Sequence, residues 1–233
     1  MESKNQKAVL LESIIKEIKT CKICRLSRTR TNAVPGEGDI NAEIMFVGEG
    51  PGYHEDVQGR PFVGQAGKVL DNLLKDIGLE RKKVFITNIV KCRPPENRDP
   101  QPDEINLCIP YLLKQIEIIQ PSVICTLGRF AFAEIMERKV FISSEHGRPF
   151  KTQSTNRIGA GINVFPLYHP AATLHQPNLL SALKEDFVKL HDFLTSPPPE
   201  VKPIQKENLP SSHTSASLKG EQEGKKEKQM DLF

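Results

Sequence analysis

Four of the five cysteines stand in an arrangement that could build one metal centre. Cys21 and Cys24 form a C-x2-C pair, and Cys92 and Cys108 follow much later in the chain. A C-x2-C pair can place two sulfur atoms on one metal from a single turn, and two later thiols can complete a set of four. Four thiolates suit a structural zinc ion or an iron–sulfur cluster, and the spacing does not choose between them. The alternative is that all four are ordinary thiols, as we expect for Cys125, which lies inside an apolar run.

A second feature with chemical potential is the glycine-rich segment 48–56 (GEGPGYHED), which follows a short apolar run. Glycines permit backbone conformations that side chains forbid, and Pro51 fixes one backbone angle between them. In a strand-and-helix architecture, a loop after the carboxyl end of a buried strand is where ligands bind. Glu49 and Glu55 place negative charge at the mouth of this loop. The segment lacks the Gly-Lys-Ser/Thr that a phosphate-binding P-loop requires, which disfavours a nucleotide-binding protein of that class.

The elements that must position these residues follow from apolar spacing. Apolar residues at helical spacing predict helices over residues 6–19, 66–77, 103–119, 128–136 and 178–194, the third of them with Asp103 as its N-cap. Short apolar runs predict strands over residues 43–47, 84–87, 122–127 and 162–167. The intervening residues 25–42 and 91–102 are predicted to be loops.

This alternation predicts an α/β fold, a single three-layer domain with a central, mostly parallel sheet and helices on both faces. In such a sheet the carboxyl ends of the strands meet at one edge. Glu49, Asn88 and His169 each lie at or just beyond the end of a predicted strand, so we expect them to gather at that edge.

The composition describes a chain without a membrane segment. A net charge of +3 permits a nucleic-acid partner without arguing strongly for one. No run approaches the roughly 18 apolar residues of a membrane span, and the N-terminus lacks a secretory signal, so we expect a cytoplasmic protein and a monomer. Residues 1–195 are predicted to fold, whereas residues 196–228 have the composition of a disordered linker.

Four motifs in a fixed order identify a known family. They are GEGPG followed by Glu-Asp within 48–56, GRPFVG at 59–64, TNIVKCRPP at 87–95 and HPAA at 169–172. Together with the four cysteines, they resemble the family 4 uracil-DNA glycosylases over about residues 8–195. The resemblance implies a single α/β domain and hydrolysis of the bond between uracil and deoxyribose. It also implies a [4Fe-4S] cluster on four ligands, Cys21, Cys24, Cys92 and Cys108.

The resemblance also assigns roles in recognising a uracil that has been flipped out of the helix. The Asn88 amide offers an acceptor beside donors, which matches the N3 and O4 edge of uracil and mismatches cytosine. Phe62 would stack on the base, and His169 would donate to uracil O2 as negative charge develops there. Each of these residues also has a purely structural interpretation. Asn88 would cap the end of a strand, Phe62 would belong to the core, and His169 would be hydrogen-bonded in a turn. The rest of the uracil pocket would come from the backbone of Glu49, Gly50 and Pro51, and from Glu55 near the C5 edge.

Water activation is expected to fall to Glu49. Better-known uracil glycosylases place an aspartate where this chain has Gly50, so Glu49 is the nearest carboxylate that could polarise water or stabilise a cationic sugar. No lysine occupies a nucleophilic position in the four motifs. The resemblance therefore implies a monofunctional glycosylase that leaves the abasic site uncut.

Contacts with DNA are expected around the loop that follows His169. By resemblance this loop enters the minor groove, with Leu174 as an apolar wedge in the space left by the flipped base and His175 touching DNA. Arg93 is expected to meet phosphates, together with Lys91 and Arg98. The alternative is that these three basic side chains are solvated and contact no DNA.

The last five residues form a separate motif. They resemble the pentapeptide by which bacterial proteins bind the sliding clamp, and they are Gln229, Met230, Asp231, Leu232 and Phe233. A chance apolar terminus is the alternative. For the whole chain, the competing hypothesis is a non-enzymatic iron–sulfur or zinc protein that binds nucleic acid.

Overall fold

A computed structural model describes residues 2–154 and 156–196. The predicted linker beyond Ser196 and the predicted clamp motif at 229–233 lie outside the described residues.

A six-stranded sheet forms the centre of the fold, in the order β1-β3-β2-β4-β6-β5. Its strands are β1 (Glu37–Gly38), β2 (Ile44–Gly48), β3 (Phe85–Asn88), β4 (Val123–Leu127), β5 (Phe150–Lys151) and β6 (Asn163–Leu167). The four central strands are parallel, and β1 and β5 pair antiparallel at the two edges. The predicted mostly parallel sheet is confirmed. The two edge strands escaped prediction because two residues are too few to show a period.

The helices connect these strands and cover the sheet. They are α1 (Glu2–Thr20), α2 (Tyr53–Gln58), α3 (Gln65–Asp76), α4 (Pro102–Ile119), α5 (Arg129–Met136), α6 (Ile142–Glu145), α7 (Pro170–Thr173) and α8 (Pro177–Thr195). Short 3-10 turns occupy Arg25–Arg28, Arg81–Lys83 and Pro95–Asn97. No helix in the described part of the chain is long and apolar enough to cross a membrane.

Alternating side chains of the buried strands build a separate core on each face. Met45 and Val47 of β2 pack with residues of α4 and α5, whereas Phe46 packs with α3 and α8. Phe46 stacks on Phe187 of α8 with ring centroids 6.2 Å apart. Successive residues of a strand point to opposite faces, so a strand that is apolar throughout requires cover on both sides. The predicted three-layer arrangement is confirmed.

Two local predictions were wrong. Residues 53–58 form α2 rather than loop, and the helix ends where Gly59 adopts a left-handed conformation. The N-cap of α4 is Gln101 rather than Asp103, because Gln101 and Glu104 exchange side-chain-to-backbone hydrogen bonds around Pro102. A proline in the first turn combined with this reciprocal pair outweighs the intrinsic capping preference of aspartate.

Candidate active site

A cavity of about 350 Å³ opens at the carboxyl ends of the central strands. The parallel register brings Gly48 of β2 opposite Asn88 of β3, and the chain after β6 adds His169. All seven residues that were predicted to form the uracil pocket line this cavity, which is bounded by Glu49, Gly50, Pro51, Gly52, Glu55, Phe62, Ala66, Asn88, Pro94, Asn97, Arg98, Asp99, His169 and Ala171. The expected meeting of Glu49, Asn88 and His169 at one edge is therefore present.

Asn88 presents an unpaired acceptor to the cavity. It is the last residue of β3, and its side chain is almost fully buried, with 1% exposed. Among the described residues, no group donates a hydrogen bond to its Oδ1 atom. Buried polar atoms are paired in the great majority of cases, so an exception in a cavity wall points to a missing partner.

Phe62 forms one wall and adopts an unusual backbone conformation. Its φ is +49°, in the left-handed region, and its ring stacks on His169 with centroids 5.7 Å apart and planes 30° apart. Two side chains hold this turn. Glu55 accepts hydrogen bonds from the N–H groups that follow Phe62, whereas Arg81 donates to the Phe62 carbonyl at 3.2 Å and to the Pro61 carbonyl at 2.6 Å.

Glu55 has an architectural role that the sequence did not reveal. One carboxylate oxygen, Oε1, accepts from the N–H of Val63 at 2.8 Å and from that of Gly64 at 2.9 Å. This oxygen therefore fixes the Phe62 turn. The prediction that Glu55 lies at the C5 edge of a bound base stays a prediction. A signal for the bridge was available in the glycine and proline residues of 59–64, which predict an irregular segment in need of side-chain anchors.

His169 is held as a neutral side chain in one tautomer. Its Nδ1 atom accepts a hydrogen bond from the Ala171 N–H at 3.1 Å, so the ring proton resides on Nε2. His169 is half-buried and lines the cavity. This burial lowers the pKa of His169 to about 4, and the negative charge of Glu55 opposes the shift only in part. Near neutral pH, His169 is therefore an uncharged hydrogen-bond donor through Nε2.

Glu49 is a carboxyl group whose ionisation is disfavoured. Burial and, to a smaller extent, the nearby charge of Asp99 raise its pKa to about 7, and Arg129 acts in the opposite direction. Asp99 also pairs with Arg129, whose Nη2 lies 3.3 Å from Asp99 Oδ2. Asp99 escaped prediction as a site residue because it belongs to the proline-rich loop, whose path is not encoded in a periodic pattern.

Gly50, where an aspartate might have been expected, has no room for a side chain. A methyl group on Gly50 would lie 2.8 Å from Cγ2 of Val90. Carbon atoms at that distance repel strongly, so a carboxylate at this position would require the loop to move. Within residues 48–56, Glu49 and Glu55 are the acids that line the cavity.

The residues predicted to contact DNA fall into two groups. Leu174 directly follows the single turn α7 and is 42% exposed, and His175 beside it is also exposed. Arg93 lies near the cavity mouth, where its Nε donates to Asn97 at 2.7 Å and its guanidinium lies 5.2 Å from the centre of the Tyr53 ring. These three placements leave the predicted DNA contacts open to test.

Of the two other basic residues, Lys91 contradicts the expectation of a phosphate contact, whereas the contact of Arg98 stays a prediction. Lys91 is buried, with 1% of its surface exposed, and cannot reach a phosphate. Arg98 is committed to the carboxylate of Glu104, with bonds of 2.9 and 2.7 Å. Gln115 and Glu104, which pair with Lys91 and Arg98, both lie on α4, so the local sequence did not predict these two contacts.

The four predicted metal-ligating cysteines meet in one place. Cys21, Cys24, Cys92 and Cys108 all line a small cavity between α1, α4 and the proline-rich loop. Two N–H donors already point at sulfur atoms, since Arg30 donates to Cys92 Sγ at 2.8 Å and the Lys91 N–H to Cys108 Sγ at 3.2 Å.

Burial strongly disfavours thiolates at this place in the absence of a cation. It raises the pKa of Cys92 and raises that of Cys108 to about 12. The fifth cysteine, Cys125, is fully buried in β4, away from this cavity, as was predicted. The four thiols line one small cavity, although among the described residues no three metal-ligating side chains are placed to hold a single metal ion.

The fold and the cavity define the uracil-DNA glycosylase class of α/β proteins, and residues 35–195 match the family described as "Uracil DNA glycosylase superfamily". The chain is 52% identical over 192 residues to the type-4 uracil-DNA glycosylase of Sulfurisphaera tokodaii, covering 80% of this chain and 86% of that protein. The type-4 enzyme of Archaeoglobus fulgidus is 46% identical over 187 residues, covering 78% and 92%. That of Thermotoga maritima is 43% identical over 188 residues, covering 79% and 95%. The chain belongs to the type-4 uracil-DNA glycosylases.

Gly48 is the position at which a single methyl group tests this geometry. A methyl group on Gly48 would overlap with Asn88 Oδ1 and would approach Cζ of Phe62 to 2.7 Å. We expect Gly48→Ala to lower kcat/KM for uracil excision by about 100-fold, because displacement of positioning groups by about 1 Å has effects of that size. Single-turnover kinetics on a uracil-containing oligonucleotide measures the loss.

The matched control is Gly78→Ala. A methyl group there meets no atom within 4 Å, although the left-handed φ of +72° strains any side chain. We expect Gly78→Ala to lower stability without changing kcat/KM. Equal kinetics for the Gly48→Ala and wild-type proteins would show that Asn88 and Phe62 do not form the base pocket.

Proposed function

We propose that this protein is a monofunctional glycosylase that hydrolyses the N-glycosidic bond of uracil in DNA and thereby starts base excision repair of deaminated cytosine. The observation that carries the proposal is the buried Oδ1 atom of Asn88, which has no partner among the described residues, in a cavity that Phe62 and His169 also line. A flat ring with an N–H group on its edge would satisfy this acceptor. The names of the type-4 relatives support uracil as that ring.

Base selection follows from the hydrogen-bonding edge of the pocket. Uracil would donate its N3–H to Asn88 Oδ1 and accept at O4 from the amide nitrogen. Cytosine presents an acceptor at N3 and a donor at the neighbouring position, so both pairs would fail. Each buried polar group left without a partner costs about 1–3 kcal/mol, which is enough for strong discrimination. Phe62 would stack on the base, worth roughly 1–3 kcal/mol.

His169 would stabilise the leaving group. As the bond to the sugar breaks, negative charge spreads over the uracil ring and onto O2. The Nε2–H group of neutral His169 can donate to O2, and the interaction strengthens as the charge develops. The hydrogen bond from Ala171 supports this role because it keeps the proton on Nε2.

Glu49 would act on the other product of bond breaking. In its ionised form it can polarise the attacking water and stabilise positive charge on the sugar. Among the residues that line the cavity there is no lysine to form a Schiff base with the sugar. This supports hydrolysis by water and an abasic site that is left uncut.

Asn88→Ala and His169→Ala test the assignment of base recognition and leaving-group stabilisation. We expect each to lower the single-turnover rate by about 100-fold or more, since removal of one transition-state donor costs about 10²–10³-fold. Uracil release from a labelled oligonucleotide, followed by alkaline cleavage of the abasic site, gives the rate.

The matched controls are Asn72→Ala and His191→Ala, which change the same residue types on exposed helix surfaces. We expect both to retain wild-type rates. Absence of uracil release by the wild-type protein with its metal centre intact would refute the glycosylase and favour a non-enzymatic nucleic-acid-binding protein.

The pH dependence of kcat/KM tests Glu49. Its pKa of about 7 predicts that kcat/KM falls as the pH drops below about 7, because the protonated carboxyl cannot stabilise positive charge. Glu49→Gln should lower the maximal kcat/KM and abolish its decrease at low pH. Asp99→Asn should move this decrease to lower pH, because the charge that raises the pKa of Glu49 is gone.

Glu117→Gln is the control, since Glu117 is exposed on α4. Its profile should match that of the wild type. If kcat/KM of Glu49→Gln still decreased at low pH as in the wild type, the ionisation would belong to another group.

We propose that Cys21, Cys24, Cys92 and Cys108 bind a [4Fe-4S] cluster. The meeting of four thiols in one cavity supports four ligands, and N–H donors to two of the sulfurs are typical of cluster sites. When bound, the cluster would supply cross-linking of the proline-rich loop to α1 and α4 rather than reaction chemistry.

Cys108→Ala should lower the iron and acid-labile sulfide content of anaerobically purified protein. Cys125→Ala should leave both unchanged, because Cys125 lies in the sheet. Zinc without sulfide in the wild-type protein would contradict the cluster.

The remaining sequence assignments complete the proposal. Residues 1–195 would form the catalytic domain, with Leu174 as the wedge and His175 and Arg93 contacting DNA, and residues 196–228 would form the linker predicted from composition. Residues 229–233 would bind a bacterial sliding clamp, so their deletion should abolish clamp binding while leaving uracil release unchanged. A cytoplasmic, monomeric protein stays the prediction.

A further inference from the structure

Lys91 is a buried amino group that the mechanism above does not use. It lies three residues beyond Asn88 and next to Cys92, with 1% of its surface exposed. Its Nζ atom donates to Asn88 O at 2.7 Å, to Thr87 Oγ1 at 2.7 Å and to Gln115 Oε1 at 2.8 Å. Burial of a lysine side chain costs free energy, so its contacts indicate the role of the side chain in the structure.

The three oxygens around Nζ match the ammonium form of Lys91. The Thr87 hydroxyl donates its one proton to the Pro35 carbonyl at 3.0 Å, so its oxygen accepts from Lys91. Three oxygens match the three N–H groups that the charged side chain carries. Burial opposes this charge, whereas hydrogen bonds to the three oxygens stabilise it.

The network extends from Lys91 to the surrounding elements. Gln115 of α4 donates from Nε2 to the Pro35 carbonyl at 2.7 Å, which ties α4 to the chain before β1. The Lys91 carbonyl accepts from the Val34 N–H at 2.8 Å, and its N–H donates to Cys108 Sγ at 3.2 Å. Apart from Asn88, the groups that anchor Lys91 do not line the active-site cavity.

The contact to Asn88 gives this network a consequence for recognition. Asn88 is the last residue of β3, and its carbonyl accepts from Lys91 Nζ while its buried side-chain oxygen has no partner among the described residues. A side chain that lacks its own hydrogen bonds is oriented by its backbone and by packing alone.

We propose that Lys91 is a positioning residue for uracil recognition, which fixes the end of β3 and thereby holds the Asn88 amide against the base. The inference rests on the proposed function of Asn88. Lys91 itself touches neither substrate nor sugar. Its role is to make rigid a base-reading group that has no hydrogen-bond partner of its own until uracil arrives, a supporting role that precise sites require.

A double-mutant cycle separates positioning from general stabilisation. The proteins are the wild type, Lys91→Met, Asn88→Ala and the double variant, each with iron content and thermal unfolding measured beside single-turnover kinetics on uracil-containing DNA. We expect Lys91→Met to lower kcat/KM by about 100-fold in the wild-type background. In the Asn88→Ala background it should change the rate less than about 3-fold, because the group that it positions is absent.

Lys114→Met is the matched control. It makes the same change on α4, one residue from Gln115, but at an exposed side chain paired with Glu17. Its kinetics should equal those of the wild type. A loss for Lys91→Met that is equally large in both backgrounds would overturn the proposal, because a purely structural role lowers activity whether or not Asn88 is present.

Gln115→Met provides a second cycle should Lys91→Met fold poorly. It removes one of the three acceptors and the tie to Pro35 but leaves the contact between Lys91 and Asn88 possible. We expect a loss intermediate between the wild type and Lys91→Met that again disappears in Asn88→Ala, whereas additive losses would overturn the proposal. Failure of the proposed function is distinct, since the wild-type protein would then release no uracil.

Discussion

The site depends on one buried acceptor that the folded chain leaves unpaired. Asn88 Oδ1 has been removed from solvent without a donor from the described residues. Such an atom costs about 1–3 kcal/mol, and this cost is recovered only when a ligand brings an N–H group. A protein gains specificity in this way because a ligand without that group leaves the cost in place. The surrounding structure must then keep the acceptor from turning toward another partner.

That requirement explains the tight construction around the cavity. Gly48 lies opposite Asn88 and has no side chain that could displace it. Phe62 is kept at a positive φ, which is costly for a residue with a side chain, by Glu55 on one side and Arg81 on the other. These anchors come from α2 and from the turn before β3. The wall of the pocket is therefore rigid even though it is built from loop residues.

The same enclosure sets the charge state of both catalytic candidates. Burial raises the pKa of Glu49 to about 7 and lowers that of His169 to about 4, so charge of either sign is disfavoured. In such surroundings an interaction with developing charge is stronger than in water, because fewer solvent dipoles compete with it. A neutral histidine with a fixed Nε2 proton is suited to a leaving group that becomes anionic. The negative charge of Asp99 beside Glu49 further sets the pH at which the carboxylate forms.

The amino-acid sequence by itself determined the α/β class, the central strands and long helices, the family, and seven of the residues that line the cavity, because periodicity and motif spacing are local properties. Only the tertiary structure decided the partners of Glu55, Asp99 and Lys91. Glu55 anchors a turn, Asp99 lies beside Glu49, and Lys91 is buried against α4 rather than exposed to DNA. Charged side chains find partners wherever the fold places a complementary group, and that placement depends on loops and on residues remote in sequence, which carry no periodic pattern.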